Sequence, residues 1–381
     1  MGKKTIVVAG GGYAGINFVH ALQKINTNHR IILIDKNAFH FKKVKLFKGI
    51  VSEDISDLHV PFAAYCKKNA EFVQGRITAV HPEEKIIEFE KKEGVIRSLS
   101  YDTLVLAMGS VIEDINPEQG GVALTNLERA IVIRQELLEM LDSPKKMLRI
   151  AIAGGGITGI ETAAEAGAWL KHEGEKRGFE PGKMEIVLIH KKERLVSEAP
   201  AKISERLEGR LKKHGIKVIY QKTAERFIDH SLYFSDQSHL EADYCIWTVG
   251  LKPHPCLRGF GLPLTDEGKV RVDPWYRVAD YEALYAIGDC VHAVDARKNH
   301  AAPMSCKEAI SQAQRLAKIL TGDDDVLPSV PHQHSPELLC IGLGPGDGLV
   351  WARKWGMDFA VSGKVAEKIR EYTWDLASIN Q

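Results

Sequence analysis

Residues 5–15 read TIVVAGGGYAG, and residues 149–159 read RIAIAGGGITG. In each copy, a short apolar run leads into a glycine-rich turn and then into a helical pattern. A second apolar run follows each helix, IILID ending at Asp35 and EIVLIH ending at His190. This order of strand, tight turn, helix and strand is typical of the start of a doubly wound parallel sheet. The chain is therefore predicted to be α/β, with two Rossmann-like dinucleotide-binding domains.

Both turns match the pattern G-x-G-x-x-G, in which each glycine has a separate purpose. The first allows the tight turn, the second lets the backbone approach a pyrophosphate, and the third lets the helix pack on the strand. The pyrophosphate lies at the helix N-terminus, where free N–H groups and the helix dipole favour an anion. The turn residues predicted to bind a dinucleotide are Gly10, Gly12, Tyr13, Ala14 and Gly15 in the first copy and Gly155, Gly156, Ile157, Thr158 and Gly159 in the second.

The residue that ends the second strand differs between the two copies. Asp35 follows Gly15 by 20 residues, where a carboxylate accepts hydrogen bonds from ribose hydroxyls, and Lys36 is predicted to bind beside it. The second copy has a histidine and basic residues there, which suit a 2′-phosphate and favour NADPH over NADH. The alternative is that these residues form a solvated surface turn. The residues of this basic cluster are His190, Lys191, Lys192 and Arg194.

Composition excludes several classes of protein. The formal net charge of the 381 residues is +1, which gives no electrostatic reason to expect nucleic acid binding. The six cysteines form no Cys-x-x-Cys pair and no zinc-ligand spacing, so neither a metal site nor a disulfide framework is expected. With no signal peptide and no apolar run long enough to span a bilayer, the predicted location is the cytoplasm.

Five motifs in a fixed order resemble the pyridine-nucleotide-dependent FAD reductases related to glutathione reductase. Within that group the chain looks most like type II NADH:quinone dehydrogenases and apoptosis-inducing-factor-like NAD(P)H reductases, which its tail segment IGLGPGDG also resembles. The five motifs are Gly10–Gly15, YDTLVLAMGS (101–110), Gly154–Glu161, WTVGLKPHP (247–255) and LYAIGDC (284–290).

The resemblance implies further cofactor contacts. Gly288 and Asp289 match the motif whose aspartate binds the ribityl chain of FAD, and 303–309 matches a helix start that faces the flavin. Gly109 and Gly250 match the points where the chain crosses between domains. Three further residues are expected in the cofactor site, namely Ile77, Ala107 and Met108.

The resemblance also implies a division into domains. Residues 1–112 and 251–325 are predicted to form a discontinuous FAD domain, and 113–250 the NAD(P)H domain. Residues 326–381 are predicted to be a small α+β segment that covers the flavin or mediates dimerisation. The protein is accordingly expected to be a monomer or a homodimer.

Departures from these families narrow the chemistry. Disulfide reductases carry a cysteine pair where this chain has FHFKKVKLFKG (39–49), so dithiol chemistry at that position is excluded. Lys307 and Ser311 replace two glutamines that type II dehydrogenases present to quinone, and Gln312 remains. Lys307 is a candidate catalytic residue near the acceptor, unless it is only an exposed helix lysine.

Glu161 is the second candidate catalytic residue. In related reductases a glutamate at this position pairs with a lysine beside the flavin, and Lys42, Lys43 or Lys45 is the expected partner here. The alternative is that Glu161 only favours the helix N-terminus by its charge.

The predicted function is hydride transfer from NAD(P)H to FAD, followed by electron transfer to an acceptor, expected to be a quinone. One alternative is a reductase of a ferredoxin-like or rubredoxin-like carrier. Another is a flavin-binding sensor or scaffold with little turnover. Trp351, Trp355 and Trp374 lie near basic residues in the tail, where they favour an aromatic core under a C-terminal hairpin. The alternative is that they make peripheral contact with the inner face of the membrane.

Overall fold

The computed structural model describes residues 3–25, 28–92, 94–142, 147–295, 297, 299–322 and 331–379. The predicted domain boundary at 325/326 lies outside the described residues.

The first part of the chain is a compact alternation of strands and two helices. Its helices are α1 (Tyr13–Ile25) and α2 (Lys48–Val51). Its strands are β1 (Thr5–Ala9), β2 (Arg30–Asp35), β3 (Phe39–Phe41), β4 (His59–Pro61), β5 (Ala70–Gln74), β6 (Arg76–His81), β7 (Ile86–Glu90), β8 (Ile96–Ser100), β9 (Thr103–Leu106) and β10 (Ser110–Ile112).

The middle part repeats the same alternation with longer helices. Its helices are α3 (Leu127–Asp142), α4 (Ile157–Lys176) and α5 (Ala201–Lys213). Its strands are β11 (Val122–Ala123), β12 (Leu148–Ala153), β13 (Met184–Ile189), β14 (Ile216–Ile219), β15 (Ala224–Ile228), β16 (Ser231–Phe234), β17 (His239–Glu241) and β18 (Tyr244–Trp247).

The last part contains short strands, two helices and a closing hairpin sheet. Its helices are α6 (Cys306–Thr321) and α7 (Lys364–Ala377). Its strands are β19 (Leu251–Pro253), β20 (Val270–Arg271), β21 (Leu284–Ala286), β22 (Val291–His292), β23 (Val294–Asp295), β24 (His300–Ala301), β25 (Leu338–Gly342), β26 (Gly348–Lys354) and β27 (Met357–Ser362).

Two five-stranded parallel sheets form the centre of the molecule. The first has the order β21-β9-β1-β2-β5 and the second β11-β18-β12-β13-β14. The central strands are almost continuously apolar because both faces of each sheet are covered. The predicted α/β class with two Rossmann-like domains is confirmed.

The first sheet is built from two distant parts of the chain. Strand β21 pairs in parallel with β9, although the whole second sheet lies between them in sequence. The two crossing segments meet as the antiparallel pair β10 and β19. The proposed domain limits at residues 112 and 250 fall at these crossing strands and remain predictions.

The C-terminal segment packs its three-stranded antiparallel sheet, β25-β26-β27, onto the second domain. Leu339, Ile341, Leu349 and Trp351 on one face join the core beneath α4. Helix α7 covers part of the other face, where Ala366 contacts the cluster of Cys340 and Val350. None of the helices in the described part of the chain is long and apolar enough to span a membrane.

Candidate functional site

The first glycine turn has a shape that only glycine permits. Gly10 has a φ of 108°, and a Cβ at Gly15 would overlap the carbonyl oxygen of Gly10. At Gly12, in contrast, an added Cβ would meet open space. The first N–H groups of an α-helix have no acceptor within the helix, so those of α1 are available to an anion bound at this turn. The geometry fits a pyrophosphate.

Asp35 is bonded to the same turn. Its carboxylate accepts hydrogen bonds from the backbone N–H of Gly11 at 2.7 Å and of Asn37 at 2.8 Å. Burial raises the pKa of Asp35, and these two bonds oppose the rise. The structure thus places Asp35 at the glycine turn, while Lys36 beside it is exposed.

The Gly-Asp motif lies directly against the start of α1. Gly288 has a φ of 83°, and a Cβ there would come within 2.8 Å of the Ala14 Cβ. Asp289 accepts a hydrogen bond from the Ser110 hydroxyl at 2.6 Å, and the Lys43 ammonium donates to the Ser110 carbonyl at 2.6 Å. The fold therefore brings one carboxylate and one lysine together at Ser110, next to the start of α1.

The other residues predicted to contact the cofactor at the first glycine turn lie at three different places in the structure. The Ala107 carbonyl and Met108 pack on Gly10, so both belong to the turn. Gly109 has a φ of 66° and Gly250 a φ of 94°, and each directly precedes a crossing strand. Ile77 lies on β6 with its side chain in the hydrophobic core.

The second glycine turn repeats the geometry of the first. Gly154 has a φ of 131°, and a Cβ at Gly159 would overlap the Gly154 carbonyl oxygen. Thr248 donates a hydrogen bond to that oxygen at 2.9 Å. Gly156 faces open space and begins α4 without a side-chain cap. This turn also fits a pyrophosphate, together with Ile157 and Thr158 in the first turn of α4.

The basic cluster after β13 is only partly available to a ligand. Arg194 donates to the carbonyls of Ser197 and Ala199, both at 2.7 Å, and to the Ser204 hydroxyl at 2.8 Å. These bonds brace the loop, so the expectation that the Arg194 side chain faces the cofactor is not supported. The His190 ring packs against Gly155, where an added Cβ would overlap it, and its burial lowers its pKa.

Two lysines of the cluster lie closer to solvent. Lys192 donates to the Ser197 hydroxyl at 2.9 Å, and the Lys191 side chain is exposed. Lys191 and Lys192 are therefore the basic residues that remain for a 2′-phosphate.

The predicted partner of Glu161 is wrong. Glu161 accepts hydrogen bonds from Arg370 of α7, at 2.7 Å from Nε and 3.0 Å from Nη2, and from the Gly342 N–H at 2.9 Å. Glu161 is buried, and the Arg370 guanidinium lies 5.0 Å from the centre of the Trp374 ring. The three candidate lysines have other partners, because Lys42 and Lys45 bond to Asp375 and Lys43 bonds to Ser110.

The polar groups of Lys307 and Gln312 are both hydrogen-bonded within the protein. The Lys307 ammonium donates to the carbonyls of Pro336 at 2.9 Å and Leu338 at 3.1 Å. Gln312 is buried, and its Oε1 accepts the N–H of Gly288 at 2.7 Å. Gln312 supports the Gly-Asp motif and is not presented to a quinone as the resemblance implied.

Glu165 and Arg370 were missed by the sequence analysis. Burial and the neighbouring Glu161 raise the pKa of Glu165 to about 7. Glu165 lies one helical turn after Glu161, a spacing that could have indicated a carboxylate pair on one face of α4. No sequence signal connects Glu161 with Arg370, which lies 209 residues away.

Comparisons with known proteins agree with this geometry. A family model described as pyridine nucleotide-disulphide oxidoreductase matches residues 4–313. The NADH dehydrogenase-like protein YutJ of Bacillus subtilis is 24% identical over 91% of this chain and 92% of its own length. Demethylphylloquinone reductase NdbB of a Synechocystis species is 26% identical over 96% of this chain and 89% of its own.

A solved structure extends the likeness to nearly the whole fold. The structure of NDH2 from Plasmodium falciparum in complex with NADH superposes with a TM-score of 0.81 and 17% identity, covering 98% of this chain and 94% of that one.

The second glycine turn allows a test that separates fold from binding. We expect Gly159→Ala to destabilise the protein by about 2 kcal/mol, because its Cβ overlaps backbone that cannot move freely. We expect Gly156→Ala to leave the unfolding midpoint unchanged but to weaken nicotinamide cofactor binding at least about tenfold, because its methyl group occupies the open space at the turn. Thermal unfolding and cofactor titration measure the two effects, and unchanged cofactor affinity in Gly156→Ala would contradict the assignment.

Proposed function

The chain belongs to the pyridine nucleotide-disulphide oxidoreductase family, and we propose that it is an FAD-dependent NAD(P)H dehydrogenase that passes electrons to a quinone without a redox-active disulfide. The observation that carries this proposal is the presence of two complete glycine turns on two parallel sheets, each with open space at its second glycine. One chain thereby offers two sites of the kind that bind dinucleotides.

FAD is assigned to the first turn. Asp35 would accept bonds from the ribose, and the start of α1 would face the pyrophosphate. Asp289 with Ser110 would hold the ribityl chain, and Lys43 would balance the negative charge that collects there. NAD(P)H is assigned to the second turn at the start of α4. Bound FAD supplies the hydride acceptor, so the protein's contribution is positioning and electrostatics.

Segment 39–49 supports the exclusion of a disulfide step. It contains no cysteine, and its buried lysines Lys42 and Lys45 are bonded to Asp375 at 3.1 and 3.2 Å. The position that carries the dithiol in disulfide reductases is therefore a charged contact with the C-terminal helix.

Glu161 and Arg370 form a buried ion pair between the second domain and α7. We propose that this pair fixes the start of α4, and with it the bound nicotinamide, relative to the C-terminal segment. Glu165, whose pKa is raised to about 7, is a carboxyl group next to this pair that can exchange a proton near neutral pH.

A quinone acceptor is supported by relatives and by the surface of the tail. Two relatives are named for quinone reduction, the Synechocystis reductase and a type II NADH:quinone oxidoreductase of Haemophilus influenzae. In this chain, Trp351 and Trp374 are buried, in agreement with the predicted aromatic core, and neither faces a membrane. Trp355 at the β26–β27 turn is 80% exposed, with the Lys354 ammonium 4.2 Å from its ring centre. Met357 and Phe359 beside it are also exposed.

An aromatic tip with a cation is suited to a membrane surface. We propose that this tip brings the protein to the bilayer, where a lipophilic quinone is available. The cytoplasmic location, a peripheral site at the inner face of the membrane, and the choice between monomer and homodimer stay predictions.

Anaerobic stopped-flow tests the first half-reaction and the choice of cofactor. On mixing with NADPH or NADH, the absorbance of the bound flavin should decrease. The decrease should be faster with NADPH, because Lys191 and Lys192 favour a 2′-phosphate. Purified protein without flavin, or flavin that neither donor reduces, would contradict the proposed function and favour the sensor or scaffold alternative.

Lys191→Ala is the matched variant for cofactor choice. It should weaken NADPH about tenfold, as expected for one lost phosphate contact, and leave NADH unchanged. Equal effects on both cofactors, or faster reduction of the unmodified protein by NADH, would overturn the preference for NADPH and keep the enzyme class.

Glu161→Gln tests the ion pair. The amide keeps the contact with Gly342 but leaves the Arg370 charge buried without its partner, so flavin reduction should slow by about tenfold or more. Glu173→Gln on the exposed end of α4, where Glu173 pairs with Lys176, is the control and should react as the unmodified protein does. Flavin reduction at the normal rate in Glu161→Gln would leave Glu161 with only its helix-terminus role.

Trp355→Ser tests the acceptor and the membrane contact together. Oxidation of the reduced protein by a long-chain quinone in anionic vesicles should slow, because the aromatic tip no longer binds the surface. Oxidation by a water-soluble quinone should not change. Failure of the unmodified protein to reduce either quinone, with rapid reduction of a ferredoxin or rubredoxin, would select the carrier-reductase alternative.

A further inference from the structure

Residues 331–338, here called the strap, lie across the beginning of α6. Arg315 donates to the Pro331 carbonyl at 2.9 Å, and the His332 N–H donates to the Pro274 carbonyl at 2.9 Å. The His334 N–H donates to Asp295 at 2.9 Å. With the two bonds from Lys307 to Pro336 and Leu338, these contacts fix the strap on the first domain next to the Gly-Asp motif.

Glu308, in the first turn of α6, is a buried carboxylate that binds the strap. Its Oε2 accepts hydrogen bonds from the Ser335 N–H at 3.0 Å and the Ser335 hydroxyl at 2.8 Å. Its Oε1 accepts a longer bond from the Gln312 amide at 3.4 Å and lies 3.7 Å from Nε2 of His332. A buried carboxylate needs such partners, because burial without them is costly.

Glu308 determines which way the Gln312 amide points. An amide side chain has one accepting and one donating end. With the donating end on Glu308, the accepting oxygen faces the N–H of Gly288 at 2.7 Å. Gln312 and Glu308 are both buried, so neither end has water as a substitute. The strap, Glu308, Gln312 and Gly288 thus form one continuous path of contacts.

His332 is the titratable group of this path. Its ring is fully buried, with Nδ1 2.8 Å from the Tyr276 hydroxyl and Nε2 facing Glu308. Burial lowers the pKa of His332, and Glu308 opposes this shift. The other charged or titratable groups that face His332 are Arg315 on α6, His334 on the strap and Asp295 on β23.

We propose that His332 and Glu308 are positioning residues for the FAD-binding turn, and that mild acid releases the strap and with it the FAD. This rests on the proposed assignment of Gly288 and Asp289 to FAD. The released strap exposes His332 to water and removes Ser335 from Glu308. The Gln312 amide then loses its fixed direction, and the Gly288 N–H loses its acceptor.

The direction of the pH effect follows from where the proton binds. A histidine in water has a pKa of about 6.5. Because the pKa is lower in the closed strap, the open strap binds a proton more readily as the pH falls below about 6.5, and the closed form loses stability there. Because one proton is linked to opening, the equilibrium constant between the open and closed strap changes by at most about tenfold per pH unit. Burial also lowers the pKa of His40, on β3 against the first glycine turn, to about 4. Because His332→Gln leaves His40 in place, comparison with that variant separates the two histidines.

The test follows FAD release from the intact protein between about pH 5 and pH 7.5, using the fluorescence of free FAD. In the unmodified protein, release should accelerate several-fold as the pH falls through this window. His332→Gln stays neutral and can still bond the Tyr276 hydroxyl, so its release rate should be independent of pH. His300→Gln, a change of an exposed histidine on β24, should behave as the unmodified protein does.

Hydrogen exchange of 331–338 gives a second readout that does not depend on FAD. Protection of the strap should fall with acid in the unmodified protein and stay constant in His332→Gln. Glu308→Gln should release FAD faster at neutral pH, because its amide no longer orients Gln312. Identical pH profiles for the unmodified protein and His332→Gln would overturn the inference and leave the proposed function intact. A protein that binds no FAD at any pH would instead contradict the proposed function.

Discussion

In each glycine turn, the third glycine lies so close to the carbonyl oxygen of the first glycine that no side chain would fit between them. The rest of the structure depends on this constraint. A side chain at Gly15 or Gly159 would collide with the carbonyl oxygen of Gly10 or Gly154, so each helix packs on its strand as closely as backbone allows. This close approach leaves open space beside Gly12 and Gly156, next to helix starts whose first N–H groups have no acceptor within the helix. The backbone of both turns therefore suits an anion before any charged side chain contributes.

The parallel sheets then decide which side chains reach those sites. Carboxyl ends of parallel strands share one edge, so residues far apart in sequence gather there. Strand β21 joins β9, and this pairing places Gly288 against Ala14 and Asp289 against Ser110. Nothing in the sequence around the Gly-Asp motif places it near residue 14. Its position is a consequence of strand order, and so is the position of Lys43, which meets Asp289 through Ser110.

This difference explains what could be predicted from the sequence. The two turns, their helices and Asp35 depend on local backbone geometry, and residues 5–15 and 149–159 specify it directly. The direction of a long side chain depends on packing that the local sequence does not encode. Glu161 therefore pairs with Arg370 where a lysine was expected, and Arg194 braces its own loop. Gln312 keeps the residue type of a quinone contact, but its amide bonds to Gly288. For each of these three residues, the sequence predicted a role for the side chain. The tertiary contacts give that side chain a different role.

Buried charges also show that the C-terminal segment is an integral part of the fold. Arg370 balances Glu161, and Asp375 balances both Lys42 and Lys45, so α7 supplies the counter-charges for two different domains. The Asp347 carboxylate, in the turn between β25 and β26, is hydrogen-bonded to Arg210 of α5 and to His214, which directly follows α5. A buried ion that loses its partner is strongly destabilising, whereas a lost surface pair changes little. Without this segment, Glu161 at the start of α4 and Lys42 in segment 39–49 would each be a buried charge without its counter-charge, close in sequence to residues assigned to the cofactors. The tail therefore belongs to the electrostatics of the site as much as the glycine turns do, and its sequence is constrained by residues that lie more than 200 positions away.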